Sequence, residues 1–344
     1  MAMTDAVRSN PRYKPKEKKS FAEICIPMRG DTPGQILSKV ITLISVVALI
    51  VCGIILGVYF YHIFEAKQNH SNIKSKYNQI GGMASAEAPS SADALIVDEN
   101  GEIVRAPLVT MPFAEEMLAI NKDYAGYVSI PGCVNEAVVQ TSDNEYYLKK
   151  NIYDQTRSCG TVFADYRNVV NDYADLQSDN IILYGHNQRD GTMFGEMDYY
   201  KWDAKYWLKN PYIYFDNKYE HSTYVIIASF IINTEPEHDN GYVFDYQNYI
   251  NFTDDHPFDT FIKELNDRSH FHTGIDVNEN DKFITLSTCS YEWEPSRHVI
   301  FGRKLRAGET TENLDLSGFE VNSNPKWPAV YYKYNGGTYI EPAG

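Results

Sequence analysis

The sequence has no Cys-x-x-Cys pair and no cysteine–histidine cluster at metal-ligand spacing; its 5 cysteines stand apart at positions 25, 52, 133, 159 and 289. A structural zinc site is therefore not expected. Nor is a disulfide framework, because 344 residues with 43% hydrophobic content can bury a core of their own. Cys133 and Cys159 are read as separate thiols, with a disulfide between them as the lesser alternative. Positive charge is also scarce: 31 Lys+Arg stand against 46 Asp+Glu, a net of −15. That balance excludes nucleic acid as a natural partner. The scarce cations are unevenly placed. Residues 1–64 carry 8 Lys+Arg and 4 Asp+Glu, and the remainder carries 23 and 42, which predicts two compartments.

Residues 1–39 hold a basic cluster from Arg12 to Lys19, with Pro11, Pro15, Pro27 and Pro33 opposing a long helix, and read as a cytoplasmic tail. An uncharged run, Val40 to Phe64, follows. As a helix it would span roughly 38 Å, enough to cross a bilayer with some tilt. It lacks the short apolar core and small-residue cleavage site of a signal peptide, so it is expected to be an uncleaved anchor. Tyr59, Phe60, Tyr61 and Phe64 crowd its far end, as an interfacial belt would. The basic residues before it predict a single-pass protein of the cell membrane, N-terminus cytoplasmic and everything after Glu65 outside. Residues 65–112 read as a stalk or linker, flexible over MASAEAPSSADA at 83–94. The apolar runs around Asn100-Gly101 are taken as ordered linker in preference to a hairpin.

The folded domain is expected over 113–306. Phe113, Met117 and Ile120 predict a short amphipathic helix. Strands are predicted at 126–130, 137–140, 160–165, 181–184, 211–216 and 223–232, a helix over 192–208, and a second, clearer helix over 254–267. Many short strands with few helices predict a mainly β fold with some α: a closed mixed β-barrel with flanking helices, plus the one N-terminal transmembrane helix. Residues 307–344, rich in aromatics, form a C-terminal extension without an assigned role.

The chemistry concentrates in DKFITLSTCSYEWEPSRHVIFGR, residues 281–303. Phe283 to Thr288 alternate as a half-buried strand ending on Cys289; turn residues follow, and a second β-rich run starts at Arg297. An antiparallel hairpin would set Cys289 and Arg297 at the same end, and a guanidinium there favours a thiolate. On these residues alone, a buried structural cysteine and a surface arginine remain equally open. A second stretch, NIILYGHN at 180–187, is a short apolar strand that delivers His186 just past its end. Together the two supply a nucleophile, an acid–base group and a cation for an oxyanion. His298 is the rival of His186 but alternates to the face opposite Arg297. Arg303 shares the parity of Arg297 but lies roughly 20 Å along the strand.

TLSTC at 285–289, LYGHN at 183–187 and Arg297 at the next strand's start resemble the class B sortases. So do GYVSIPGCVNEAVVQTSDNEYYL at 126–148 and GTVFADYRN at 160–168. The resemblance covers residues 113–306, with Cys133 departing from the small polar residue expected there. It implies a sortase-like barrel, with a helix in the connection before the Cys289 strand. It also implies a membrane-anchored cysteine transpeptidase with Cys289, His186 and Arg297 as the catalytic set. Tyr184, Ser287 and Thr288 are expected to contact substrate. The implied partners are secreted proteins bearing a C-terminal sorting signal, with a peptidoglycan precursor or a pilin amine as acceptor. The membrane is engaged through residues 40–64, and neither cofactor nor metal is expected. A tethered hydrolase with the same site, and a non-catalytic wall-binding module with a structural Cys289, are the alternatives.

Overall fold

The computed structural model describes residues 20–80, 95–97, 102–157 and 159–339. Residues 1–19 of the expected cytoplasmic tail and all of the flexible 83–94 stretch thus lie outside the described residues. The chain divides into two units, 1–65 and 66–344. In the first, helix α1 (Phe21–Cys25) starts from a capping box in which Ser20 and Glu23 satisfy each other's backbone N–H. Helix α2 (Pro33–Gln79) is, among the described residues, the one helix long and apolar enough to cross a membrane.

This helix departs from the linker expected after residue 64, since it continues to Gln79. No proline or glycine interrupts 65–79, and His70, Ile73 and Tyr77 recur at helical spacing on one face. Ile73 and Tyr77 are buried against Phe113 and Tyr127. A second departure lies just beyond. Strands β1 (Leu95–Val97) and β2 (Ile103–Arg105) pair antiparallel, so the segment read as plain linker carries a two-stranded ladder.

The barrel follows helix α3 (Pro112–Ile120), which buries Phe113, Ala114 and Met117. Its early strands are β3 (Tyr124–Ile130), β4 (Val134–Val139), β5 (Val162–Ala164) and β6 (Asn180–Tyr184). The helical stretch expected at 192–208 is broken into a 3-10 turn, helix α4 (Asp198–Trp202) and a second 3-10 turn. Asp203 causes the break, leaving helical geometry to cap the Lys205 N–H. Strands β7 (Tyr212–Asn217) and β8 (His221–Asn233), helix α5 (Phe258–Arg268), and strands β9 (Phe271–His272), β10 (Phe283–Ser290) and β11 (Ser296–Lys304) complete the domain. Strand order is β10-β11-β8-β7-β3-β4-β5-β6, closed on itself. The β4–β5 and β6–β10 pairs are parallel and the rest antiparallel.

Alternation along β6, β10 and β11 serves two cores. Ile181, Leu183, Ile284, Leu286 and Ile300 fill the barrel. Their neighbours Ile182, Phe283, Val299 and Phe301 point the other way, under Phe261 and Leu265 of α5. The C-terminal extension packs back on this body. Phe319 stacks on Trp207 at 5.0 Å, strand β12 (Glu320–Val321) pairs with β9, and helix α6 (Ala329–Asn335) ends the described chain.

Candidate active site

The hairpin β10–β11 sets Cys289 directly across from Arg297, with Ser287 opposite Val299 and Thr288 opposite His298. On the other side of β10, the parallel ladder pairs Ser287 with Tyr184. The Gly185 N–H continues it by donating to the Ser287 carbonyl at 3.1 Å. Strand β6 ends at Tyr184, and just beyond it Asn187 reaches the Cys289 carbonyl at 3.0 Å, so the segment carrying His186 runs beside Cys289. Cys289 thus sits on the middle strand, with β11 and Arg297 on one side and β6, which leads into His186, on the other. All three are partly exposed, while the strands that carry them are buried.

Local structure explains the motif around His186. A Cβ on Gly185 would meet the Phe194 ring at 2.7 Å, so only glycine lets the chain pass there. Thr288 Oγ1 donates to the Gly185 carbonyl at 2.7 Å and binds the two segments together. Asn187, buried, donates through Nδ2 to the Cys289 carbonyl at 3.0 Å and to Asp198 Oδ1 at 3.1 Å. Asp198 in turn pairs with Lys201 at 3.0 Å, and Lys201 with Glu292 at 2.7 Å. The ammonium is 4% exposed, a buried cation between two carboxylates. Burial alone would raise the Glu292 carboxyl, but hydrogen bonds from Lys201 and Ser290 hold it below its ordinary range. His186 Nε2 lies 2.9 Å from the Leu148 carbonyl. A carbonyl only accepts, so this contact requires a proton on Nε2 and leaves Nδ1 as the site that gains or loses one.

Tyr184 lies partly exposed on the same face, its hydroxyl donating to Asp165 Oδ2 at 2.9 Å. Asp165 is buried and paired with Arg167 at 2.9 Å. Burial first, then the neighbouring Tyr246 hydroxyl and Asp165 carboxylate, push the Tyr184 hydroxyl far up, so it stays protonated. The other expected substrate contacts stand differently. Thr288 is a correction: its side chain is buried on the face away from Cys289 and is committed to Gly185. Ser287 has the right parity but is 2% exposed, its hydroxyl within 2.6 Å of Tyr246 Oη. His298 faces the interior, fully buried beside Ser229 at 2.9 Å; burial first, then Lys201 and His270, keeps it neutral. Sequence reasoning left Asn187 and Glu292 without a role and missed Lys201, Asp198 and the Leu148 carbonyl. Only Asn187, next to His186, carried a local signal.

All 5 cysteines are free. Cys133 is buried, which raises its thiol strongly, and Cys159 is raised by burial too. A cavity of about 410 Å³ adjoins the site, lined by Asn187, Asp190, Glu196, Asp198 and Tyr291 among others. Among the described residues no three His, Cys, Asp or Glu side chains gather as a metal cluster.

No family model matches the chain. It is similar to sortase B of Listeria monocytogenes, 28% identical over 253 residues, 73% of this chain and 93% of that protein. It is also similar to sortase B of Staphylococcus aureus, 29% identical over 199 residues, 56% of this chain and 75% of that one. The chain is a relative of sortase B. A Bacillus anthracis crystal structure described as similar to sortase B shares the fold at TM-score 0.55 and 23% identity, covering 70% of this chain and 96% of that one. Sortase B from S. aureus shares it at TM-score 0.52 and 23% identity, over 70% of this chain and 88% of that one. The kinship indicates a sortase-type cysteine transpeptidase on the class B barrel.

Proposed function

We propose that Cys289, His186 and Arg297 form the catalytic set of a membrane-anchored transpeptidase. The observation that supports this reading is the strand register: Arg297 pairs with Cys289 across the β10–β11 hairpin, and β6, which pairs with β10 on its other side, leads directly into His186. The Cys289 thiolate attacks a peptide carbonyl in a sorting motif, and Arg297 takes the developing negative charge of the carbonyl oxygen. The imidazolium of His186, losing its proton from Nδ1, protonates the departing amine. An incoming amine gives a proton back to His186 and displaces the thiolate from the thioacyl enzyme. The substrates are secreted proteins with a C-terminal sorting signal, and the acceptor is a peptidoglycan precursor or a pilin amine. The apolar run at 40–64 holds the protein in the membrane with the barrel outside.

The test is to incubate the full chain in detergent with candidate sorting peptides, with and without an amine nucleophile. A ligated product and a thioacyl adduct on Cys289 are expected by mass spectrometry. Cleavage that yields only free acid whatever amine is added would make it a hydrolase, and no adduct on Cys289 would end the catalytic reading.

A further inference from the structure

The segment after His186 turns back on itself. Asn187 and Met193 form an antiparallel bridge, Met193 adopts φ 56°, and the Phe194 N–H donates to the His186 carbonyl at 3.1 Å. The orientation of His186 therefore depends on this loop. The loop is in turn held by the last turns of α2. His70 Nδ1 lies 2.9 Å from Glu136 Oε1, and the same oxygen accepts the Met193 N–H at 2.8 Å. Lys67 pairs with Asp190 in the loop at 3.6 Å. Glu136 belongs to β4, opposite Val128, so the shared carboxylate is fixed to the barrel wall. Below these contacts Tyr77 stacks on Tyr127 at 3.9 Å and donates to Asp216.

We propose that His70 is a positioning residue for the reaction: through Glu136 it locks the 187–193 loop and so fixes His186 relative to Cys289. This rests on the reading of His186 as acid and base. Magnitudes separate the two contacts. The Lys67 side chain is 53% exposed, and an exposed pair of this kind contributes about 0–1 kcal/mol, so it is the minor one. His70 and Glu136 are 26% and 14% exposed, and their bond couples directly to a backbone N–H of the loop. Around His70 stand Glu136 on β4, Asp190 in the loop and Lys74 on its own helix. The hydrogen bond that His70 donates to Glu136 is the largest influence and raises the imidazole above its ordinary value, against burial and Lys74. The ion pair is therefore present below the ordinary histidine range and is lost as pH rises through the raised value.

The experiment uses the full chain in detergent micelles, as wild type and as His70→Ala, His70→Arg, Lys76→Ala and His186→Ala. Lys76 pairs with Glu116 on the exposed side of the same helix, so Lys76→Ala controls for general weakening of α2. Amide exchange of Gln188 to Phe194 is expected to quicken about fivefold in His70→Ala, as losing one hydrogen bond implies. It should return towards wild type in His70→Arg and stay unchanged in Lys76→Ala. Alkylation of Cys289 by iodoacetamide, followed at that residue by mass spectrometry across pH, should slow about tenfold in His70→Ala near neutrality, towards the His186→Ala profile. Unchanged loop exchange in His70→Ala overturns the lock. Faster exchange with an unchanged alkylation profile overturns the positioning role, and equal effects of Lys76→Ala and His70→Ala reduce it to helix stability. Wild-type alkylation in His186→Ala would instead sink the acid–base reading itself, an outcome told apart because His70 plays no part in it.

Discussion

Arg297→Ala should separate chemistry from stability. The side chain is partly exposed, and its hydrogen bond runs to the Ser296 carbonyl next door at 3.0 Å. Removing it leaves no buried group unpaired, so the stability change should stay within about 0.5 kcal/mol. Its proposed work is on the oxyanion, and loss of one such donor typically lowers kcat by about 10²–10³. Arg297→Lys keeps the charge and loses the planar fork, so it should also fall by about 100-fold. Arg303 on the same strand gives the opposite profile. It sits opposite Phe283 at the far end, is 1% exposed, and is bidentate to Glu309 at 2.5 and 3.1 Å. Arg303→Ala empties the site of a large, fully buried side chain and should cost about 3–5 kcal/mol. For a domain of this size that lowers the melting temperature by about 6–20 °C. The assays are kcat on a cleaved sorting peptide, well below each variant's melting point, and calorimetry. If Arg303→Ala lost as much kcat as Arg297→Ala while folded, proximity to Cys289 would not be what matters. Full activity in Arg297→Lys would leave only a general positive field and end the oxyanion role.

Cys289→Ala should abolish turnover and leave cooperative unfolding intact, because a small, partly exposed side chain leaves little cavity; loss of the unfolding transition would mean a structural cysteine. Lys201→Met should destabilise by about 3 kcal/mol, since Asp198 would keep its buried charge without it and the partly exposed Glu292 would lose its partner; denaturant titration measures this, and a neutral result would refute the ion network as a support of the site. Burial holds His270 at about 4 in the folded chain. The unfolded chain binds that proton near the ordinary value, so stability should fall by about 3 kcal/mol as pH drops from 6.5 to 4. His270→Phe should flatten that slope, and an unchanged slope would assign the acid sensitivity elsewhere. Protease added to cells stripped of their wall should digest the barrel and spare the basic tail; a protected barrel would reverse the proposed orientation.

The parts legible in the sequence were the local ones. The alternation of Phe283 to Thr288, the turn residues and the apolar run from Val299 set the β10–β11 hairpin, and with it the Cys289–Arg297 pairing. The same period puts Thr288 on the face away from Cys289, where its hydroxyl bonds the Gly185 carbonyl. The β6–β10 pairing could not be read this way, because no local pattern states which distant strand Asn180–Tyr184 will join. Motif resemblance supplied that link. The run of α2 past Phe64 was obscured because polar residues flank Ile73 and Tyr77, and only docking against Phe113 and Tyr127 shows why that face is apolar. Lys201 was invisible for a similar reason: its carboxylate partners come from its own helix and from the turn after Ser290, which meet only in the folded barrel.

The parallel pairing of β6 with β10 has a further consequence in time. Antiparallel neighbours can zip together as they are made, but these two strands are separated by α4, β7, β8, α5 and β9. Closing so long a loop is slow, because chain entropy is lost before any ladder bond compensates it. Arg297 and the rest of β11 emerge later still. A nascent chain, or one cut short before Arg297, therefore carries the thiol of Cys289 without the neighbours proposed to activate it. Reactivity should arise late and all at once, with barrel closure.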